Sequence, residues 1–154
     1  KSIWNIVIGG LAGSFATLAG SAAVNPIIAP EAVILSVILF LWTPPHFWSL
    51  AMAIGDDYEK AGIPMLPNTL SNSLTTYIIL SHTIILVFVT ALLMLYSSSL
   101  FYIFAIFIGG GYFIWTSILL AIKKTKSAAM KNFFGSFVQL GLLLILIIID
   151  GVIV

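Results

Sequence analysis

Asp56, Asp57 and Glu59 put three carboxylates into four positions at the end of an apolar run, and these groups are the best placed in the sequence to do chemistry. Packed this closely they repel one another, and a cation would relieve that. Hard oxygen clusters of this kind suit Mg²⁺ shared with a phosphate. The plainer alternative is a solvated loop carrying ordinary charges, with Tyr58 and Lys60 among them.

A second candidate is the segment Trp42-Thr43-Pro44-Pro45-His46-Phe47-Trp48. It lies inside an apolar run, where two prolines withhold donors from the helix ladder and are expected to kink it. Carbonyls freed in this way must be satisfied by protein or water, so irregular backbone at depth commonly lines a cavity. His46 comes eight to ten residues before the polar loop, about 12 to 15 Å deeper along a helix. An ionisable residue there is a functional hypothesis by default. Positions 46 and 57 are eleven apart, close to three turns, so a continuous helix would aim both at one shared cavity unless Gly55 interrupts it. The alternative is a neutral imidazole hydrogen-bonded to a neighbouring helix, which is also the reading we adopt for His82.

Two further features border the acidic cluster. Lys1, Ser2 and Asn5 begin the first apolar run, with Lys1 and Asn5 spaced to share a helix face; they either hold a phosphate oxygen or anchor the helix at the interface. Ala61-Gly62-Ile63-Pro64-Met65-Leu66-Pro67 is denied a regular helix by its prolines and glycine. Its apolar residues suggest a lid folded onto the membrane surface, the alternative being an interfacial connector.

The elements that must position these residues are membrane spans. Of 154 residues 61% are hydrophobic and 7% charged, whereas about a quarter are charged in soluble domains. Five apolar runs reach the roughly 20 residues needed to cross a bilayer: Asn5 to Val24, Glu31 to Ile54, Leu74 to Tyr96, Leu100 to Ile122 and Phe133 to Ile153. The third and fourth are joined by a Ser97-Ser98-Ser99 turn. The fold class expected is all-α, a polytopic membrane helical bundle with five transmembrane helices in one domain. Asn25, Pro26 and Pro30 end the first span. Small residues pattern it, with Gly9 and Gly13 in one pair and Ala12, Ala16 and Gly20 along a neighbouring stripe, a pattern suited to close helix packing. Gly109, Gly110 and Gly111 could do the same in the fourth span, or loosen it.

Threading the chain across the membrane gathers Lys1, Lys60, Lys123, Lys124, Lys126 and Lys131 on one side, leaving Glu31 and Asp150 on the other. The positive-inside rule then makes the lysine side, with the polar loop, cytoplasmic in a cell (inner) membrane. With no cysteine, disulfides and thiolate-bound metals are excluded, and a net charge of +1 gives no field suited to nucleic acid. The chain starts at Lys1, close to its first span, and reads as part of a longer protein.

Three ordered blocks carry a resemblance to a known family: Asn5-Ile6-Val7-Ile8-Gly9-Gly10, Leu41-Trp42-Thr43-Pro44-Pro45-His46-Phe47-Trp48, and Asp57-Tyr58 followed by Ala61 to Pro67. Together they resemble the protoheme farnesyltransferases, or heme O synthases, of the intramembrane aromatic prenyltransferase (UbiA) superfamily. The resemblance implies a bundle of nine spans, of which this chain supplies the C-terminal five, the missing N-terminal half or another chain completing it. It implies transfer of the farnesyl group of farnesyl diphosphate to a vinyl group of protoheme IX (heme B), with Mg²⁺ as cofactor. Carried over by position, Asp56 and Asp57 would bind Mg²⁺ and diphosphate, with Lys1 and Asn5 reaching the same diphosphate and Tyr58 and Lys60 beside it. His46 would contact the porphyrin, and Trp42, Phe47 and Trp48 would face the allylic cation.

The sequence departs from the family in two places. Four residues beyond Asp56 and Asp57 stand Lys60 and Ala61, not the second aspartate of a DxxxD motif, and Ile54 and Gly55 stand where many heme O synthases carry a basic residue. The first aspartate-rich motif belongs to the N-terminal half and does not occur in these residues. Competing readings are a prenyltransferase with an aromatic or quinone-precursor acceptor, and a non-catalytic transport or assembly subunit.

Overall fold

A computed structural model of the chain describes residues 2–96 and 99–153; Lys1 and the Ser97-Ser98 part of the expected turn lie outside the described residues. Among the described residues every regular element is helical. Five helical stretches are long and apolar enough to cross a membrane: Asn5–Val24, Pro30–Ala53, Asn72–Leu95, Leu100–Lys123 and Lys126–Ile153. The five-helix membrane bundle expected from hydropathy is therefore present. A bilayer leaves a crossing backbone few alternatives to internal hydrogen bonding.

In chain order, α1 is Asn5–Val24 and α2 is Pro30–Ala53. Proline in the first turn of α2 sacrifices no helical hydrogen bond, and Glu31 beside it suits the positive end of the helix dipole. The polar loop contains two short helices, α3 (Gly55–Lys60) and α4 (Leu66–Thr69). The expected lack of regular helix in 61–67 holds for 61–65, where Gly62, at φ +65°, turns the chain; only Leu66 and Pro67 enter α4, with Pro67 in its first turn, where a proline is tolerated. α5 (Asn72–Ala91) is capped by Ser71, whose side chain accepts from the Leu74 N–H at 3.3 Å. The fourth span is α6 (Leu100–Phe104), a π-helical stretch at Ala105–Gly110, and α7 (Gly111–Lys123). α8 (Lys126–Ile153) starts well before the apolar run at Phe133, because its first turns extend beyond the apolar segment.

α2 is central, packed between α1, α5 and α8, while α7 packs on α5 and α8. α2 also keeps its helical course through Pro44 and Pro45, both buried; the interruption falls at Ile54, where φ and ψ are −123° and 34°. α1 leans on α2 through Gly10, where an added Cβ would stand 3.2 Å from Thr43 Cβ, and through a reciprocal clasp. In that clasp Ser14 Oγ donates to Ser36 O at 2.9 Å and Ser36 Oγ donates to Ser14 O at 3.1 Å. The expected small-residue faces of α1 point elsewhere, since an added Cβ at Gly9, Gly13 or Gly20 meets nothing within 4 Å. In the fourth span Gly109 lies against Gln139 of α8 and Gly110 against Val87 of α5, so these two glycines serve packing; Gly111 has open space.

Two apolar clusters sandwich a polar layer. One, at the polar-loop end, includes Trp48, Leu66, Ile79, Leu120 and Ala129; the other includes Ile38, Leu86, Phe113 and Leu143. Between them Asn132 of α8 is fully buried and joins two other helices directly and a third through Ser117. Its Nδ2 donates to Ser49 Oγ of α2 at 2.8 Å, and its Oδ1 accepts from Thr116 and Ser117 of α7 at 2.8 and 2.9 Å. Ser117 in turn pairs with Thr83 of α5 at 3.0 Å. Lipid supplies no hydrophobic drive between helices, so side-chain hydrogen bonds and close glycine contacts such as Gly135 on Thr116 help fix their register.

Candidate active site

At the end of the bundle where α2 gives way to α3, a cavity of about 260 Å³ is lined by Asp56 and Glu59, by Asn68 and Asn72, and by Lys124, Thr125 and Lys126. Three separate pieces of chain build it. The turn at Ile54 swings Asp56 off the axis of α2, and Asn68 Nδ2 holds that turn by donating to Gly55 O at 3.1 Å. The third piece is the α7–α8 connection. Lys124 ends α7 in the left-handed region, at φ 53° and ψ 31°, with its N–H donating to Leu120 O at 2.8 Å. This sharp reversal brings Lys124, Thr125 and Lys126 to the cavity together.

The cavity balances charge across chain segments 70 residues apart. Lys126 Nζ donates to Asp56 Oδ2 at 2.8 Å, and Lys124 Nζ donates to Ser73 Oγ at 2.9 Å. The Lys126 contact lowers the Asp56 pKa from its ordinary value, first through the hydrogen bond and then through the charge. Both side chains remain largely open to solvent. Two ammonium groups, a hydroxyl and two amides around one hollow can receive a multiply charged phosphate.

Asp57 does not line this cavity; it points to solvent and pairs with Lys60 at 4.0 Å. Tyr58 and Lys60 do not line it either. Asn5 is engaged by the loop, its Nδ2 donating to Pro64 O at 3.3 Å. Met65 and Leu66 are buried, so the 61–67 segment is pinned into the bundle by its apolar residues.

His46 sits in a different setting, 95% shielded, and it does not line the cavity that holds Asp56. Its ring is stacked against Trp42 at 4.0 Å and Phe133 at 4.5 Å between centroids, with Phe47 and Phe137 edge-on. Nδ1 lies 2.7 Å from Ser136 Oγ, whose own proton goes to Phe133 O at 2.6 Å. Ser136 therefore accepts, Nδ1 carries the proton, and Nε2 keeps its lone pair. Trp42 Nε1 donates to Ser136 O at 2.9 Å. Trp48 is buried edge-on against His82 at 5.2 Å, and His82 Nδ1 donates to Ile78 O at 3.1 Å in its own helix.

Among the described residues no three of the His, Asp and Glu side chains converge as a preformed metal site. The cavity does offer two carboxylates, Asp56 and Glu59. Mg²⁺ is commonly held by one or two carboxylates together with substrate phosphates, so the donor set fits a shared ion. Sequence reasoning passed over Lys124, Lys126, Asn68 and Ser136. The run Lys123-Lys124-Thr125-Lys126, assigned to the same membrane side as the acidic loop, was the available signal for the first two.

The sequence matches the UbiA prenyltransferase family over residues 1–138. It is 50% identical over 150 residues to protoheme IX farnesyltransferase 2 of Paramagnetospirillum magneticum, covering 97% of this chain and 52% of that protein. It is 41% identical to protoheme IX farnesyltransferase 1 of the same organism, covering 95% of this chain and 52% of the relative. Against the protoheme IX farnesyltransferase of Coxiella burnetii the identity is 42%, covering 95% and 48%. The chain thus spans about half the length of the curated relatives it matches. No solved structure matches it.

Proposed function

The chain belongs to the UbiA prenyltransferase family, and on that premise we propose that it forms half of a site that joins the farnesyl group of farnesyl diphosphate to a vinyl group of protoheme IX, giving heme O. The observation that carries this reading is the cavity in which Asp56 and Glu59 meet Lys124 and Lys126 at one end of an apolar bundle. It suits an amphiphile with a charged head and a membrane-soluble tail. The protein is integral to a membrane; we assign it to the cell (inner) membrane with this cavity on the cytoplasmic side, because the lysines gather there.

Breaking the allylic C–O bond leaves negative charge on the departing diphosphate. Lys124 and Lys126 are the residues to stabilise it, with the Thr125 hydroxyl and the Asn68 and Asn72 amides able to donate to its oxygens. Asp56 and Glu59 would hold Mg²⁺, which when bound adds positive charge at the same oxygens, while Asp57, turned to solvent beside Lys60, stands outside the cavity. Tyr58 and Lys60 neighbour Asp56 in the chain and Asn5 is tied to Pro64 of the same loop, while a part for Lys1 in holding the diphosphate rests on the family resemblance alone. The farnesyl cation needs apolar, π-rich surroundings that exclude water until the vinyl carbon attacks. Trp42 and Phe47, both half-buried and both packed on His46, are the aromatics to supply this, while Trp48 is fully buried against His82. Addition of water to the porphyrin-side cation, with loss of one proton, completes the hydroxyethylfarnesyl group. His46, with Nε2 unprotonated, is our candidate for contacting the porphyrin through its iron.

The test is heme O formation by the chain joined to the N-terminal half of the Paramagnetospirillum magneticum relative, followed by chromatography of extracted hemes. Asp56→Ala, Glu59→Ala and Lys126→Gln should each abolish product in a folded protein, and His46→Ala should impair use of heme. Normal rates in all four variants would refute the site.

A further inference from the structure

A second cavity, of about 250 Å³, lies on the other side of the Lys124-Thr125-Lys126 turn, lined by Leu119 and Lys123 of α7, by Thr125, and by Ser127, Ala128 and Lys131 of α8. It shares only Thr125 with the cavity described above and contains no carboxylate. The ion pairs among the described residues are Lys60 with Asp57 and Lys126 with Asp56, so Lys123 and Lys131 have no acidic partner there. Two ammonium groups and two hydroxyls with no counter-charge form a site for an anion.

The position of the site identifies the anion's carrier. Lys131 comes five residues after the start of α8, about 7.5 Å along the helix. Its Nζ lies over the Trp115 ring, 4.6 Å from the centroid. Trp115 is half exposed on α7, and tryptophan at this level is characteristic of the lipid–water boundary. From there toward the other membrane face, Phe134 and Val138 continue the Lys131 face of α8 at intervals of three and four residues, and both are exposed. Ile118 and Ile122 of α7 are exposed as well. A charged pocket thus stands at the head of an uncovered apolar strip, which is the shape of a phospholipid with its phosphate above and its acyl chains below. Basic pockets between transmembrane helices take anionic headgroups in this way.

We propose that Lys123, Thr125, Ser127 and Lys131 bind the phosphodiester headgroup of an anionic phospholipid whose acyl chains lie along Trp115, Phe134 and Val138. The test is native mass spectrometry of the full chain, released from an uncharged detergent after titration with phosphatidylglycerol or phosphatidylcholine. A lysine near a membrane surface contributes a factor of about five, so Lys123→Gln with Lys131→Gln should weaken retained phosphatidylglycerol roughly thirtyfold. Glu31→Gln, an exposed charged residue at the start of α2 and outside both cavities, should leave it unchanged, and phosphatidylcholine should bind weakly to all forms. Unchanged helical circular dichroism and gel-filtration behaviour would establish that the double variant is folded. Equal retention of phosphatidylglycerol by the folded double variant, or equal binding of the two lipids by the unsubstituted chain, would overturn the proposal. Displacement of phosphatidylglycerol by an equal concentration of inorganic diphosphate would also overturn it, showing a site for soluble phosphates.

Discussion

Replacing Asn132 by alanine tests whether the polar layer holds the bundle together. The amide makes three hydrogen bonds to two helices, and each interhelical bond of this kind in a membrane averages about 0.6 kcal/mol, so a loss of roughly 2 kcal/mol is expected. The figure stays this low because the abandoned hydroxyls have other acceptors. Ser49 Oγ already reaches Pro45 O at 2.6 Å, Thr116 Oγ1 reaches Phe113 O at 3.0 Å, and Ser117 keeps Thr83. Without those fallbacks each stranded hydroxyl would add about 1–3 kcal/mol. The assay is reversible unfolding in mixed micelles of mild detergent and dodecyl sulfate, followed by helical circular dichroism. Double-mutant cycles with Ser49→Ala, Thr116→Val and Ser117→Ala would apportion the loss. A change below 0.5 kcal/mol for Asn132→Ala, or zero coupling in all three cycles, would refute the reasoning; 0.5 is roughly one average bond.

Two glycine substitutions should part in sign. Gly135→Ala places a Cβ 2.6 Å from Thr116 Oγ1 and should destabilise by about 1–3 kcal/mol, whereas Gly13→Ala meets nothing within 4 Å and should gain about 0.5–1 kcal/mol in the same unfolding assay. The depressed Asp56 pKa makes its contact with Lys126 pH-dependent: the contribution is fully present above the ordinary carboxylate range and is lost as pH falls through the lower, folded-state pKa. A carboxyl-carbon NMR titration should show Asp56 titrating below Asp56 in the Lys126→Gln variant, and coincident curves would contradict the contact.

The spans could be read from sequence because they depend on one local quantity, the length of an apolar run, and a bilayer allows such a run little besides a helix. The acidic cluster was legible for a related reason, since Asp56 and Asp57 stand out wherever nearly everything else is apolar. What the sequence could not show was which residues answer them. Lys126 reaches Asp56 only because Lys124 reverses the chain and the fifth span returns beside the second, a relation set by packing across 70 positions. Hydropathy likewise cannot say which way a face turns. Gly9 and Gly13 have the spacing of a packing pair, yet α1 meets α2 through Gly10 and Ser14. The start of α8 differs for a third reason: Lys126, Ser127, Lys131 and Asn132 break up the apolar residues of its first turns, and a hydropathy window registers only the unbroken apolar run.

The left-handed turn at Lys124 has a cost that bears on how this surface can evolve. A side chain in that conformation costs about 1–2 kcal/mol that glycine would not incur, so Lys124→Gly would relax the turn while deleting an ammonium group from the cavity. Selection for stability alone would favour the glycine. A lysine persisting at this position is therefore a signature to seek among relatives. Where it gives way to glycine, the charge must be supplied from elsewhere or the demand for it has been lost.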